Sequence, residues 1–531
     1  MTFSWDLPYP SRRSPLLARN IVATSQPLAA QAGLRMLLKG GNAVDAAVAT
    51  AVTLTVVEPT MNGIGADAFA LVWAEGKLHG LNASGRAPAA WSPARFAGRS
   101  AMPTEGWDTV TVPGAVSAWV ALSQRFGRLP FADLFEPAIE YAERGYLVSP
   151  VIAWQWSIAI DRLRDQPGYR EAFMPGGRAP AAGELFRFPD QAKTLARIAQ
   201  TKGEAFYRGD LAEKIAAAGA AQGGAMTVAD LAAHRADWVE PIDVQYQGHH
   251  LHEIPPNGQG IAALMALGIL RELDLASRPV DSVESYHLQI EAMKLAFADV
   301  HRYVSDPATM KVKTSDLLNP DYLRQRAHLI HPKRATDFGP GSPAKSDTVY
   351  LTTADASGTM VSYIQSNYMG FGSGVVVPGT GIGLQNRGAC FTLQPGHPNQ
   401  VAGGKRPFHT IIPAFLTRDG KPVMSFGVMG GDMQPQGHLQ MTVRMLDYGQ
   451  NPQAAADAPR WKVSATGELL LEPAMPQDVV RGLRDLCHRV RVSQQGEVEI
   501  GSYGSAQLIY RVEGGYVAGS EGRRDGQAVG F

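Results

Sequence analysis

The chain has 531 residues, 45% hydrophobic and 18% charged, the proportions of a folded globular protein. Its 49 Lys and Arg balance 49 Asp and Glu, so no basic excess exists to displace counterions from a nucleic acid or to hold an acidic membrane surface. Two cysteines, Cys390 and Cys487, are too few for a disulfide framework or a zinc–cysteine cluster, and the expected partner is a small molecule.

The opening "MTFSWDLPYPSRRSPLLARN" lacks the apolar stretch of a secretory signal. The longest apolar run, residues 46–57, is too short to span a bilayer, and the expectation is a cytoplasmic protein. "TSQPLAAQAGLRMLLKGGNAVDAAVATAVTLTVVEP" predicts two helices, the first stopping at Gly40-Gly41 and the second capped by Asn42. "AFALVWAEGKLHGLNAS" predicts a hairpin turning at Glu75-Gly76-Lys77. From residue 113 to about 304 the pattern is mostly helical, with "VESYHLQIEAMKLAFADVHRYV" the clearest amphipathic stretch. A polar connection follows Pro307, and its "HPKRATDFGPGSPAKSD" predicts an exposed, mobile segment. Beyond it come hairpins: "TVYLTTAD" with "TMVSYIQSN", then "PAFLTRDGKPVMSFGVM" turning at Asp419-Gly420. Long helical stretches followed by hairpins point to a layered α/β sandwich within one structural domain.

Three features carry candidate chemistry. Thr348 follows Asp347 where the Gly/Pro-rich segment runs into a strand. A threonine that becomes an N-terminus holds a hydroxyl nucleophile and, on the same residue, an amine that serves as its base. Most such junctions are merely a loop meeting a strand. Gly430-Gly431 end a strand before a helix, with Asp432 placed to cap it and Pro435 in its first turn. Bare glycine N–H groups there suit an oxyanion at the positive end of a helix. The "GxG" stretches, such as Gly381-Ile382-Gly383, are turns rather than nucleotide motifs. His249, His250 and His409 show no metal-ligand spacing, and neither a metal nor an organic cofactor is expected.

The stretches "NIVATSQPLAAQAGLRMLLKGGNAVDAAVATAVTLTVVEPTMNGIGADAFALVW", "TVPGAVSAW", "IEAMKLAFAD", "SDTVYLTTAD", "FGSG", "KRPFHTIIPA" and "GVMGGDMQPQGH" resemble the γ-glutamyltranspeptidase family across residues 20 to 462. The resemblance implies an N-terminal-nucleophile hydrolase with a four-layer αββα sandwich. It implies a precursor that cuts itself between Asp347 and Thr348 into a large subunit, 1–347, and a small one, 348–531, which stay together; any further oligomer is left open. It assigns Thr348 as nucleophile, Ser366 as its supporting hydroxyl, and Gly430 and Gly431 as the oxyanion-hole pair.

The departures concern the amino-acid clamp. Ser84 stands at the usual Arg position with Arg86 two residues on, His409-Thr410 replaces a Ser pair, Arg387 and Cys390 stand for Gln and Asp, and Val349 follows Thr348 where Thr is usual. Arg387 and Arg86 are therefore candidate carboxylate binders, each with an ion pair as the alternative. His409 is a further pocket residue, and Cys390 a small apolar lining residue. The expected activity is cleavage of a small amide with a carboxylate-bearing acyl group, as in the family's cephalosporin acylases and oxamate amidohydrolase. The alternatives are a γ-glutamyl transferase or glutathione hydrolase with altered contacts, and an unprocessed, inactive binding protein.

Overall fold

The computed structural model describes residues 13–338, 347–495 and 502–531. The start of the chain, residues 1–12, and the middle of the expected mobile segment, residues 339–346, lie outside the described residues.

Gln26 opens the first helix by accepting from the N–H groups of Leu28 and Ala29, with Pro27 in its first turn, and Pro27–Leu38 runs out just before Gly40 at φ +89°. Asn42 and Asp45 form a capping box on Ala43–Val57. Every residue of that helix is buried, as befits one apolar on all sides and covered by other helices as well as a sheet.

Two seven-stranded sheets form the centre. One runs in the order Gln527–Gly530, Ile21–Thr24, Asp347–Ala354, Met360–Tyr368, Asp67–Ala74, Lys77–Asn82, Asp237–Val239. The other runs Leu16–Ala18, Gly515–Ser520, Ser505–Val512, Lys421–Met429, Ala414–Arg418, His249–Glu253, Ile242–Tyr246. The pairings within them are antiparallel, so each strand presents alternate side chains to opposite faces. Phe69, Leu71, Tyr350, Ile364, Phe415, Met429 and Ile509 fill the space between the sheets. On the outer face of the first sheet, Val349, Leu351 and Val361 pack against Ala43–Val57 and its neighbours. On the outer face of the second, Leu416, Phe426 and Val428 pack against Ile261–Leu270, Val283–Tyr303 and Met433–Leu446. Helices, sheet, sheet, helices: this is the expected four-layer αββα sandwich.

The predicted hairpin turns hold, with Glu75 at φ 54° before Gly76 at φ 77°, and Asp419 at φ 50° before Gly420 at φ 68°, the left-handed pairs that two-residue hairpins require. Two expectations need correction. The stretch read as mostly helical also contains Asp237–Val239, Ile242–Tyr246 and His249–Glu253, which extend both sheets. The polar connection after Pro307 folds into the short helices Thr314–Leu317 and Pro320–Ala327. Its described end is tied down too, since Thr336 N–H donates to Glu291 Oε2 at 2.8 Å and Ala335 N–H to the Leu486 carbonyl at 2.6 Å. Among the described residues no helix is long and apolar enough to cross a membrane.

Candidate active site

The strand Asp347–Ala354 pairs regularly with Met360–Tyr368 from Val349 onward, but the register shifts between Asp347 and Val349. Thr348 sits on that irregularity, 1% exposed, and its Oγ1 donates to Ser366 Oγ at 3.2 Å. Ser366 Oγ also accepts the Tyr368 N–H at 2.8 Å, and Ser366 stands directly opposite Asp67 on the next strand. Thr348, Ser366 and Asp67 thus form a row across three adjacent strands. Tyr368, paired with Asp347 across the junction, holds φ +78°, a conformation uncommon and strained for a bulky residue.

That backbone turns the Tyr368 ring beneath the Arg387 guanidinium, 4.5 Å from its centroid, a cation–π contact. Arg387 opens the short turn Arg387–Cys390 and is wholly buried. Its Nη1 donates to Thr410 Oγ1 at 2.8 Å and lies 3.7 Å from Cys390 Sγ, while Nε stays 4.0 Å from Asp67 Oδ2. Nε and Nη2 have no hydrogen-bond partner among the described residues. Buried donors without acceptors are costly, and the planar fork of a guanidinium matches the geometry of a carboxylate.

His409 turns the other way. Its Nδ1 accepts from the Ile411 N–H at 3.4 Å, so Nε2 carries the proton and donates to Asp67 Oδ2 at 3.1 Å. Burial, then Arg387 and Arg406, holds His409 well below its ordinary range, so it is neutral. Burial lifts the Asp67 carboxyl to about 6 against the pull of Arg387. With both nitrogens engaged, His409 acts on the site through Asp67 rather than by touching a ligand. Burial also raises the Cys390 thiol, leaving it protonated and unreactive at neutral pH.

The strand Lys421–Met429 ends at Gly430, φ +124°, and Gly431, φ +61°. The Gly430 carbonyl accepts the Met433 N–H at 3.1 Å, inside the first turn of Met433–Leu446. In a trans peptide the next N–H points opposite to that carbonyl, so the Gly431 N–H is aimed away from the helix. Gln259 Nε2 holds the Gly431 carbonyl at 2.9 Å. Asp432 occupies the cap position, but its side chain makes no capping bond, contrary to expectation.

Thr348, Ser366, Arg387, Cys390, His409 and Thr410 are thus linked through direct contacts and through Asp67. Arg86 is not one of this group: its half-exposed guanidinium is engaged by Asp306 at 3.3 Å and by the Gly404 carbonyl at 3.2 Å, the ion-pair alternative. The sequence reading missed Asp67, Tyr368 and Arg406, the last buried and paired with Asp237 at 2.7 Å. An acid inside the apolar run "DAFALVW" was the available signal for Asp67. It also missed that His287, Glu291 and His488 place ligand-type atoms within 4.8 Å of one another. Their donors and acceptors are turned on each other and on Lys294, whose ammonium lies 2.7 Å from Glu291 Oε1. The cluster anchors residues 331–336, since His287 Nε2 donates to the His331 carbonyl.

The family model for Gamma-glutamyltranspeptidase matches residues 29–531. The glutathione hydrolase-like YwrD proenzyme of Bacillus subtilis is 38% identical over 536 residues, covering 98% of this chain and 100% of the relative. The oxamate amidohydrolase proenzyme of Klebsiella pneumoniae is 38% identical over 518 residues, 95% of this chain and 97% of that one. Among solved structures, a cephalosporin acylase from Bacillus halodurans superposes with a TM-score of 0.94 at 49% identity, covering 100% of this chain and 99% of that one.

Proposed function

The chain belongs to the gamma-glutamyltranspeptidase family, and on that premise we propose an autoprocessing N-terminal-threonine amide hydrolase that takes a small acyl group bearing a carboxylate. Its relatives carry names of amide-bond hydrolases, acylases and proenzymes. In the intact chain the Thr348 hydroxyl attacks the Asp347 carbonyl carbon, the peptide shifts to an ester, and water releases residues 1–347 from 348–531. The freed amine, with a reference pKa of about 7.7–8.0, is partly neutral near pH 7. It takes the hydroxyl proton as Oγ attacks the substrate carbonyl and returns that proton to the leaving nitrogen. The Gly430 and Gly431 N–H groups receive the oxyanion, Ser366 holds the nucleophile, and water resolves the acyl-enzyme.

The observation that carries the substrate reading is Arg387, wholly buried with two unpartnered nitrogens, in the same network as Thr348 and Ser366. An acyl carboxylate satisfies it. A γ-glutamyl α-ammonium beside Arg387 and Cys390 meets a cation where an acid would be needed.

The test begins with mass spectrometry, which should find a fragment starting at Thr348 in the wild type and one intact, inactive chain for Thr348→Ala. Matched glutaryl and γ-glutamyl p-nitroanilides on the processed enzyme then decide the acyl group. The glutaryl compound should lead in kcat/KM by about tenfold or more, a difference of about 1.4 kcal/mol. Arg387→Gln with Cys390→Asp should narrow that lead. A γ-glutamyl preference would return the chain to transferase or glutathione hydrolase activity, and an uncut wild-type chain to a binding role.

A further inference from the structure

Beside the glycine turn lies a cavity of about 190 Å³ that the reaction at Thr348 does not use, lined by Lys294, Phe297, His301, Phe338, Asp432 and Val463 among others. Asp432 directly follows the oxyanion-hole pair. It is 3% exposed, begins the helix with helical backbone angles of φ −69° and ψ −8° that do not suit a side-chain cap, and leaves Oδ2 without a partner among the described residues. An N-cap aspartate with an extended backbone accepts from the first-turn N–H groups; the helical backbone here leaves the Asp432 carboxyl without that bond. Of the cations around it, Lys462 draws on its charge while donating to the Ser502 carbonyl at 3.4 Å, Lys294 is engaged by Glu291, and Arg489 by the Thr466 carbonyl. His301, stacked on Phe297 at 5.4 Å and 10°, has both ring nitrogens buried and unpartnered.

Asp432 links the cavity it lines to the proposed site, because it follows Gly431 directly in the chain. The Asp432 charge is felt by both Tyr368 and Cys390, the two side chains against Arg387. On the function proposed above, the acyl carboxylate lies on Arg387 and the reacting carbonyl at Gly431, one residue before Asp432.

We propose that this cavity is the subsite for the amine half of the amide, in which Asp432 accepts an N–H or ammonium group of the leaving amine while Phe297 and His301 hold its apolar or aromatic body. The assignment of sides rests on the function proposed above. The ligand class is an aromatic-bodied amine carrying a second nitrogen donor. Buried, unpartnered acid and ring nitrogens make this discrimination strong, because a ligand lacking the donor leaves them unsatisfied.

The experiment measures calorimetric binding of free benzylamine and of 4-(aminomethyl)benzylamine to the processed protein, a readout that needs no turnover. The diamine should bind at least about tenfold more tightly, and Asp432→Asn should abolish the difference. Ser464→Trp, which fills the cavity from its rim, should weaken both amines by about tenfold or more, and it decides the matter if Asp432→Asn does not fold. The glutaryl amides of the same two amines should show the same ratio in kcat/KM. If neither amide is cut but the binding pattern holds, the acyl reading fails and the subsite stands. If both are cut and the two amines bind equally, the subsite falls and the acyl reading stands. Dependence on Asp432 of γ-glutamyl p-nitroanilide cleavage, with no effect on the amines, would place the acid on the acyl side and overturn the proposal.

Discussion

Asp67 is the residue on which the clamp turns, since it stands across from Ser366, takes the proton side of His409 and faces Arg387. Burial lifts its carboxyl from 3.8 to about 6. Between those values the folded chain holds a proton that the unfolded chain has lost. The stability this group contributes is therefore fully present below pH 3.8 and is lost as pH rises through 6. A gap of about two pH units corresponds to an order of 3 kcal/mol. Asp67→Asn, which cannot ionise, should gain by that order relative to wild type between pH 4 and pH 7, read from urea midpoints at the two values. A difference that stays constant with pH would mean that Asp67 is not the group being titrated. The residue scale is also where sequence reading reached least. Thr348, Ser366 and the glycines lie in contiguous motifs, whereas the partner of Asp67 is 342 positions away, and only the packing of two sheets brings His409 to it. Asp432 was legible as a helix start, but not the helical backbone, φ −69° and ψ −8°, that keeps its side chain from capping.

At the scale of elements, alternation and left-handed turns made the hairpins around Glu75-Gly76 and Asp419-Gly420 readable, because each turn imposes φ > 0 on residues that tolerate it. The strands Ile242–Tyr246 and His249–Glu253 alternate as well, with Val244, Tyr246 and Leu251 turned inward. Five-residue strands between helices carry too few periods to stand out from them. The strand-to-helix turn at Gly430-Gly431 was readable in composition, and its geometry supplies the test. A methyl group at Gly431 strains a backbone at φ +61° and displaces the N–H proposed for the oxyanion. Gly431→Ala should lower kcat by about 10²–10³-fold, about 2.7–4 kcal/mol, with KM little changed. Self-cleavage should slow as well, since it passes through the same kind of intermediate, and a denaturing gel over time measures that. Wild-type turnover in the fully cut variant would remove Gly431 from the oxyanion hole.

The molecule as a whole is threaded so that the proposed cut does not divide it. Asp347–Ala354 pairs with Ile21–Thr24, Met360–Tyr368 with Asp67–Ala74, Ala414–Arg418 with His249–Glu253, Gly515–Ser520 with Leu16–Ala18, and Gln527–Gly530 with Ile21–Thr24. Each pairing joins chain before residue 347 to chain after it, and both sheets contain such pairings. Separating the two pieces would open strand edges and expose the core between the sheets, so the buried area that folds the precursor also holds the cut form together. Backbone hydrogen bonds across these five pairings tie the two pieces together in both sheets. The processed protein should therefore elute as one species in size exclusion and release its fragments only in denaturant. Unfolding should then distinguish the two forms. In the cut protein folding is also association, so its thermal midpoint should rise with protein concentration, whereas uncut Thr348→Ala should not show this dependence. A small fragment eluting alone without denaturant would show that these strand pairings do not hold the halves together.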